Sequence, residues 1–299
     1  MQAKRPVRAR DRRRGSIRWY TRAMDYAHAR HAGNVGDVFK HVALVAVLEE
    51  LLKDPLPLRY VESHAGDGMF PLGSNGEWSA GIQLLWELKG ADAAGRFVEL
   101  VRGFSGPAAT RPGKYPGSPV IAQKLLRAQD SLLLHELEPQ AAGVLLRTLG
   151  TDARAEVRET DGLAALPGAL APRAQAGEVE GRVFALIDPP YTQKGEWADT
   201  AAAVIAARKT GAAVAVWYPI KALTRPRALL AALVEGGLHG TLVELISTPL
   251  RLKREKLNGS GIVLLGVPDA AVSGLCAVLP RLGPLLATHG EWSATQIGF

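Results

Sequence analysis

A single cysteine, Cys276, in 299 residues excludes a disulfide framework and any multi-thiolate zinc or iron–sulfur site. There is no apolar run of the roughly 18–20 residues that a membrane span needs, since even the alanine-rich stretch 200–207 soon meets Arg208 and Lys209. No membrane partner is expected. A secretory leader pattern is missing too, because the first basic residues are followed by Trp19-Tyr20 and not by an apolar stretch. Repeats are absent, and neither hydrophobicity nor charge is extreme: 47% hydrophobic and 22% charged residues describe a globular chain able to bury one large core or two smaller ones. A cytoplasmic location is expected.

The formal net charge of +7 is concentrated at one end. Residues 1–22 carry nine Lys or Arg and one acid, Asp11, so the remaining 277 residues are net −1. Residues 1–23 therefore read as a basic arm, disordered by self-repulsion and suited to phosphate, or as a stretch preceding a true start at Met24. Residues 24–299 read as the domain itself.

Within that domain, short β-branched runs alternate with longer segments of helical period, the pattern of a doubly wound α/β fold. The spacing predicts strands at 58–63, 131–135, 155–160, 183–187, 213–218, 241–247 and 261–267, and helices at 35–53, 119–128, 139–149, 197–209 and 226–236. The first of these helices reads as amphipathic, with Val38, Val42, Val45 and residues 48–52 on one side. The expectation is a seven-stranded, mostly parallel sheet with helices on both faces. Residues of about 70–117 break the alternation and read as a small helical insertion beside the carboxyl edge of the sheet, where such folds bind ligands. Residues 167–181, rich in Pro, Ala, Gly, Arg, Gln and Glu, read as a surface connection.

The sharpest chemical signal is the apolar run 184–187 ending in Asp188-Pro189-Pro190-Tyr191. Two prolines fix the backbone and leave carbonyls free to face a cleft. The lone pair of an adenine N6 is delocalised into the ring. Acceptors aimed at its two hydrogens favour a pyramidal nitrogen, and the Asp188 carboxylate and Pro189 carbonyl are suited to that task. Tyr191 offers a face on which an extruded base stacks, worth about 1–3 kcal/mol. Held near ~3–3.5 Å from an electrophile, such an amine needs no strong base before attack. The competing reading is a strand-ending turn with an Asp cap.

His64-Ala65-Gly66-Asp67-Gly68 follows the first strand, and its glycines allow the backbone close to a bound cofactor. The sequence fits neither the dinucleotide G-x-G-x-x-G nor a P-loop. Strands two and three run into Glu136 and Asp161, placed to accept from ribose hydroxyls and from an adenine amino group, although each also suits a helix N-cap. A glycine turn, two strand-end acids and Asp-Pro-Pro-Tyr fall in the order of a class I, Rossmann-like S-adenosylmethionine methyltransferase acting on amines.

More specifically, Tyr26-x-His28, His31-Ala32-Gly33-Asn34, Asp37-Val38-Phe39-Lys40-His41, His64-Ala65-Gly66, Tyr115-Pro116-Gly117-Ser118-Pro119, Asp161-Gly162, Asp188-Pro189-Pro190-Tyr191 and Trp217-Tyr218-Pro219 resemble the bacterial 23S ribosomal RNA adenine-N6 methyltransferase J family. The resemblance runs from Met24 to Phe299, and Glu62-Ser63 stands where the family is expected to carry Asp-Thr. It implies S-adenosyl-L-methionine contacts at His41, His64, Ser118, Glu136, Asp161 and Gly162, a catalytic Asp188, and 23S ribosomal RNA as partner, naked or in an early large-subunit intermediate. With it, Lys40 and His41 are expected to neutralise the cofactor's carboxylate, Gly66 to lie against the cofactor, and Tyr26 and His28 to lie near the substrate base. A metal at His28, His31, His41 or His64 is not expected, for want of a third ligand at standard spacing. A monomer is expected. A DNA adenine-N6 methyltransferase and a non-catalytic RNA-binding module are the alternatives.

Overall fold

A computed structural model of the chain describes residues 30–171, 181–193, 195–252, 257–287 and 289–299. The helix α1 (Val35–Leu51) starts where the N-cap Asn34 side chain accepts from the Asp37 amide, while the Asp37 carboxylate accepts from the amide of Gly33 just before the cap. Thirteen of its seventeen residues are buried. The helix is buried on nearly every side rather than along one amphipathic stripe, because it is wedged between the sheet and other helices.

The strands are β1 (Leu58–Glu62), β2 (Met69–Pro71), β3 (Lys114–Pro116), β4 (Ser131–His135), β5 (Ala155–Arg158), β6 (Arg182–Ile187), β7 (Ala213–Ile220), β8 (Thr241–Ile246), β9 (Gly259–Leu265) and β10 (Ser293–Gly298). Eight of them form one sheet in the order β10-β8-β9-β7-β6-β1-β4-β5. The five from β5 to β7 pair in parallel, and β9 and β10 run against their neighbours. Successive residues of each strand feed opposite cores, as a pleated strand requires. Tyr60, Leu132, Leu134, Phe184, Leu186 and Ala215 join one cluster with α1, whereas Val61, Leu133, Ala185, Ile187 and Val216 join the other.

The remaining helices are α2 (Ala93–Gly103), α3 (Ser118–Leu125), α4 (Pro139–Leu149), α5 (Gly162–Leu170), α6 (Glu196–Arg208), α7 (Thr224–Glu235) and α8 (Asp269–Leu286). Beyond the expected elements come α5, α8, the short strands β2 and β3, and the edge strand β10, which makes the main sheet eight-stranded rather than seven. Pro280 and Pro284 lie inside α8 and obscure its helical period, and β10 is too polar to announce itself. By length and composition α8 could cross a membrane, but it packs as a core helix on α1, α2 and β8, with Leu275, Val278, Leu282 and Leu286 buried. Pro167, expected in a surface connection, lies inside α5; residues 172–180 of that connection fall outside the described residues.

The segment of about 70–117 is closed at its base by the two-stranded ribbon β2–β3, with Phe70 opposite Tyr115. Its helix α2 buries Phe97, Val98 and Val101 in the α1 core. The insertion is thus continuous with the main core, and it brings Tyr115 to the cavity described next.

Candidate active site

In the sheet order β1 has β4 on one side and β6 on the other, so the chain reverses its direction of growth between β1 and β6. Connections on the two sides of that point diverge and leave a crevice beyond the carboxyl ends of the strands. A cavity of about 2230 Å³ opens there. It is lined by the turn after β1, the ends of β4, β5, β6 and β7, the start of α1, and Tyr115.

Asp188 is the first residue after β6, and its Oδ2 receives Lys40 Nζ at 2.6 Å. Asp37 Oδ1 lies 3.0 Å from the same ammonium, and the Trp217 ring centroid 5.4 Å from it. Burial alone would discharge Lys40, but the carboxylates of Asp188 and Asp37 override it and hold the ammonium above its ordinary pKa. Burial likewise works against the Asp37 carboxylate, yet Lys40 and the Gly33 amide keep it below its usual value. The structure thus places Lys40 on the acid of the Asp-Pro-Pro-Tyr turn.

The turn itself is held by Tyr191, whose φ of 51° is the one left-handed non-glycine value among the described residues. Such a conformation costs about 1–3 kcal/mol and persists only where its surroundings impose it. Here the Tyr191 hydroxyl donates to the Trp217 carbonyl at 3.0 Å, and its ring lies 4.2 Å from that of Trp197. Burial keeps this hydroxyl protonated, hence a donor. Tyr191 is largely buried and shows the cavity only a small part of its ring, and Pro189 is buried beside it.

His41, one residue along from Lys40, turns to a different partner: its Nδ1 lies 2.7 Å from the Tyr115 hydroxyl. Burial pushes its pKa down to about 3, so the ring is neutral at any working pH. Burial also holds the Tyr115 hydroxyl protonated, which makes that hydroxyl the donor and leaves the proton of His41 on Nε2. That Nε2 is buried without a partner, although the residue lines the cavity. At the end of β1, the fully buried Glu62 accepts from the Tyr60 hydroxyl at 2.8 Å and from the Ser118 hydroxyl, and burial raises its pKa to about 8. Ser63 Oγ lies 2.8 Å from His64 Nδ1, and burial holds the His64 ring below its ordinary pKa.

On the far side of β1, Glu136 accepts from the amides of Gly66 (2.8 Å) and Glu138 (2.9 Å), which fixes its carboxylate at the cavity edge. Gly66 needs its glycine there, with a φ of 60°. Asp161 caps α5 through Oδ1, which accepts from the amides of Leu163 and Ala164. No bond among the described residues engages its Oδ2. Gly162 is required by close approach: a Cβ there would sit 1.9 Å from the Ser63 carbonyl oxygen. Gly162→Ala is therefore expected to force β1 and α5 apart, lowering stability by about 1–3 kcal/mol and weakening cofactor binding with it. Denaturant midpoints and calorimetric titration of the variant check both.

The cavity gathers every expected site residue that the structure describes: Lys40, His41, His64, Gly66, Ser118, Glu136, Asp161, Gly162, Asp188, Pro189 and Tyr191 all line it. Tyr26 and His28 lie outside the described residues. Sequence reading missed Asp37, Tyr115, Trp217 and the exposed Leu137, which line the same cavity. Leu137 carried a usable signal, an apolar residue between two acids directly after a strand. No group of three or more His, Cys, Asp or Glu side chains suited to a metal occurs among the described residues.

The profile of the family described as RsmJ, ribosomal RNA large subunit methyltransferase D, RlmJ, matches residues 55–297. Ribosomal RNA large subunit methyltransferase J of Escherichia coli K12 is 32% identical over 281 residues, which span 91% of this chain and 97% of that protein. The protein of the same description from Haemophilus influenzae is 31% identical over 285 residues, with the same coverage of 91% and 97%. Among solved structures, protein LPL1258 from Legionella pneumophila superposes with a TM-score of 0.80 at 27% identity, covering 90% of this chain and 98% of that one.

Proposed function

Since the chain belongs to the RlmJ family of ribosomal RNA large subunit methyltransferases, and is an S-adenosylmethionine-dependent methyltransferase, we propose that its acceptor is N6 of an adenine in 23S ribosomal RNA. The observation that carries this reading is Asp188 at the sheet's reversal point, fixed by Lys40 and followed by a rigid Pro-Pro-Tyr turn.

The cavity suits the cofactor on its own evidence. The orphaned Nε2 of His41 is a neutral donor in need of an acceptor, as a carboxylate would be. Glu136 has two amide donors already and retains lone pairs for hydroxyls, Asp161 has Oδ2 available, and Leu137 and Leu163 offer apolar surface beside them. In this reading His41, His64, Ser118 and Gly66 hold the amino-acid end, and Glu136, Asp161 and Gly162 the nucleoside end. Bound S-adenosylmethionine supplies a methyl group on a positively charged sulfur. The Asp188 carboxylate and the Pro189 carbonyl accept the two N6 hydrogens, which turns the nitrogen lone pair out of the ring conjugation. Lys40 keeps the Asp188 carboxylate oriented, and Tyr191 keeps the turn in its strained conformation while its exposed part meets the base. The substrate-side roles of Tyr26 and His28 rest on the sequence resemblance alone.

The reading is of a monomer. It places the enzyme in the cytoplasm, where naked 23S RNA or an early large-subunit intermediate would be the substrate. Incubating the protein with S-adenosylmethionine and unmodified 23S RNA, early large-subunit particles or duplex DNA, then weighing nuclease fragments by mass spectrometry, tests it. One methyl group on an adenosine of the RNA is expected. Methylation of duplex DNA in preference, or RNA binding without transfer, would overturn the reading.

Glu136→Ala and Asp161→Ala should each weaken S-adenosylhomocysteine binding roughly tenfold to hundredfold, the loss of a hydrogen bond to an ionised acceptor worth about 1.5–3 kcal/mol. Asp161→Ser, which retains an α5 cap, separates loss of the ligand bond from loss of the helix end. Calorimetry reads both effects.

A further inference from the structure

The cavity is far from electrically uniform. Eight carboxylates line it, against three Lys or Arg side chains: Lys40, Lys221 and Arg225. Lys40 is committed to Asp188 and Asp37. Lys221 and Arg225 are both exposed, and neither forms an ion pair with a described residue. They lie four positions apart, Lys221 in the connection from β7 to α7 and Arg225 in the first turn of α7, which contains no acid. β7 is hydrogen-bonded to β6 on the side away from β1. The pair therefore sits across Asp188 from the acidic sector of Glu136, Glu138 and Asp161. Asp67 in the turn after β1, and Glu196 and Asp199 at the start of α6, complete the acidic lining.

A strand of RNA carries one negative charge per nucleotide, and its backbone is repelled wherever carboxylates line the rim. Phosphate contacts set the position and register of a nucleic acid, and a cleft concentrates the field of the charges at its mouth. Only the Lys221–Arg225 sector of the described rim attracts phosphates while leaving Asp188 open to a base turned inward. We infer that the backbone of the substrate strand crosses the cavity rim at the β7–α7 connection and the first turn of α7, with Lys221 and Arg225 on phosphates flanking the flipped adenosine. This rests on the reading of RNA as the acceptor. The nucleoside of the cofactor and the RNA backbone then occupy opposite sectors, and the target base alone passes between them to Asp188.

The test compares the wild-type protein with the double variant Lys221→Gln/Arg225→Gln and with Lys209→Gln, which removes an exposed charge just beyond the far end of α6. Each lost contact to single-stranded RNA should flatten the plot of log affinity against log salt by about 0.7, so the double variant should lose about 1.4 and its KM for RNA should rise roughly tenfold near ~0.15 M salt. Turnover at saturating RNA and S-adenosylhomocysteine affinity should stay at wild-type values, and Lys209→Gln should behave as wild type. An unchanged slope in the double variant, or an equal change in Lys209→Gln, overturns the placement of the strand while leaving the RNA reading intact. A wild-type protein that transfers no methyl group to RNA overturns both.

Discussion

Asp188→Asn is expected to lower methyl transfer by at least a hundredfold while S-adenosylhomocysteine still binds. Removal of one preorganised electrostatic contact to a developing charge costs about 10²–10³ in turnover elsewhere, and Asp188 is assigned both to orient the amine and to bear the charge it gains. Asparagine keeps the volume and one acceptor oxygen, so the turn after β6 should survive. It does not keep the charge that balances Lys40, an ammonium only 8% exposed. Asp188→Ala removes more, because a buried cation left with one partner, Asp37, costs several kcal/mol of stability. The asparagine variant thus reports on chemistry, and the alanine variant on chemistry and folding together. A tritium-transfer assay beside calorimetry separates them. Wild-type turnover in Asp188→Asn would remove this carboxylate from the reaction.

How far the site could be read from the sequence depends on whether its chemistry is local in the chain. Glu136 and Asp188 each follow an apolar strand directly, and Asp161 lies three residues beyond the end of the short, more polar β5, so the alternation of the sheet points to all three. Partnerships are another matter. Lys40 and Asp188 are 148 positions apart, and His41 and Tyr115 are 74 apart, with nothing between them to announce either pair. Adjacent residues on a helix point about 100° apart, so Lys40-His41 looks like one cationic unit in sequence and becomes two separate functions in space. The Trp217 carbonyl that tethers Tyr191 is a main-chain group and leaves no sequence signature. The ring of Tyr191, read as an open stacking face, is mostly taken up by Trp197 for the same reason: side-chain packing across 6 positions of a turn and helix is not written in residue type.

Lys40→Met should discriminate between the two roles that sequence and structure give this lysine. If Lys40 neutralised the carboxylate of the cofactor, methionine would weaken cofactor binding and leave turnover at saturation nearly intact. The geometry favours the opposite split. Lys40 stands between Asp37 and Asp188 with the Trp217 ring beside it, and no third acceptor is needed to satisfy the ammonium. Methionine fills similar volume without charge, so the two carboxylates lose the cation between them and Asp188 loses the bond that fixes its orientation. Turnover should fall about a hundredfold, in line with loss of a charge-assisted contact to a catalytic group, while S-adenosylhomocysteine affinity stays within about twofold of wild type. The effect should be the same across the neutral and mildly alkaline range, because the facing carboxylates hold the wild-type ammonium charged throughout it. Combining Lys40→Met with Asp188→Asn in a double-mutant cycle gives the decisive number: two residues acting as one unit lose little more together than either does alone. Fully multiplicative losses would separate Lys40 from Asp188 and return it to the cofactor.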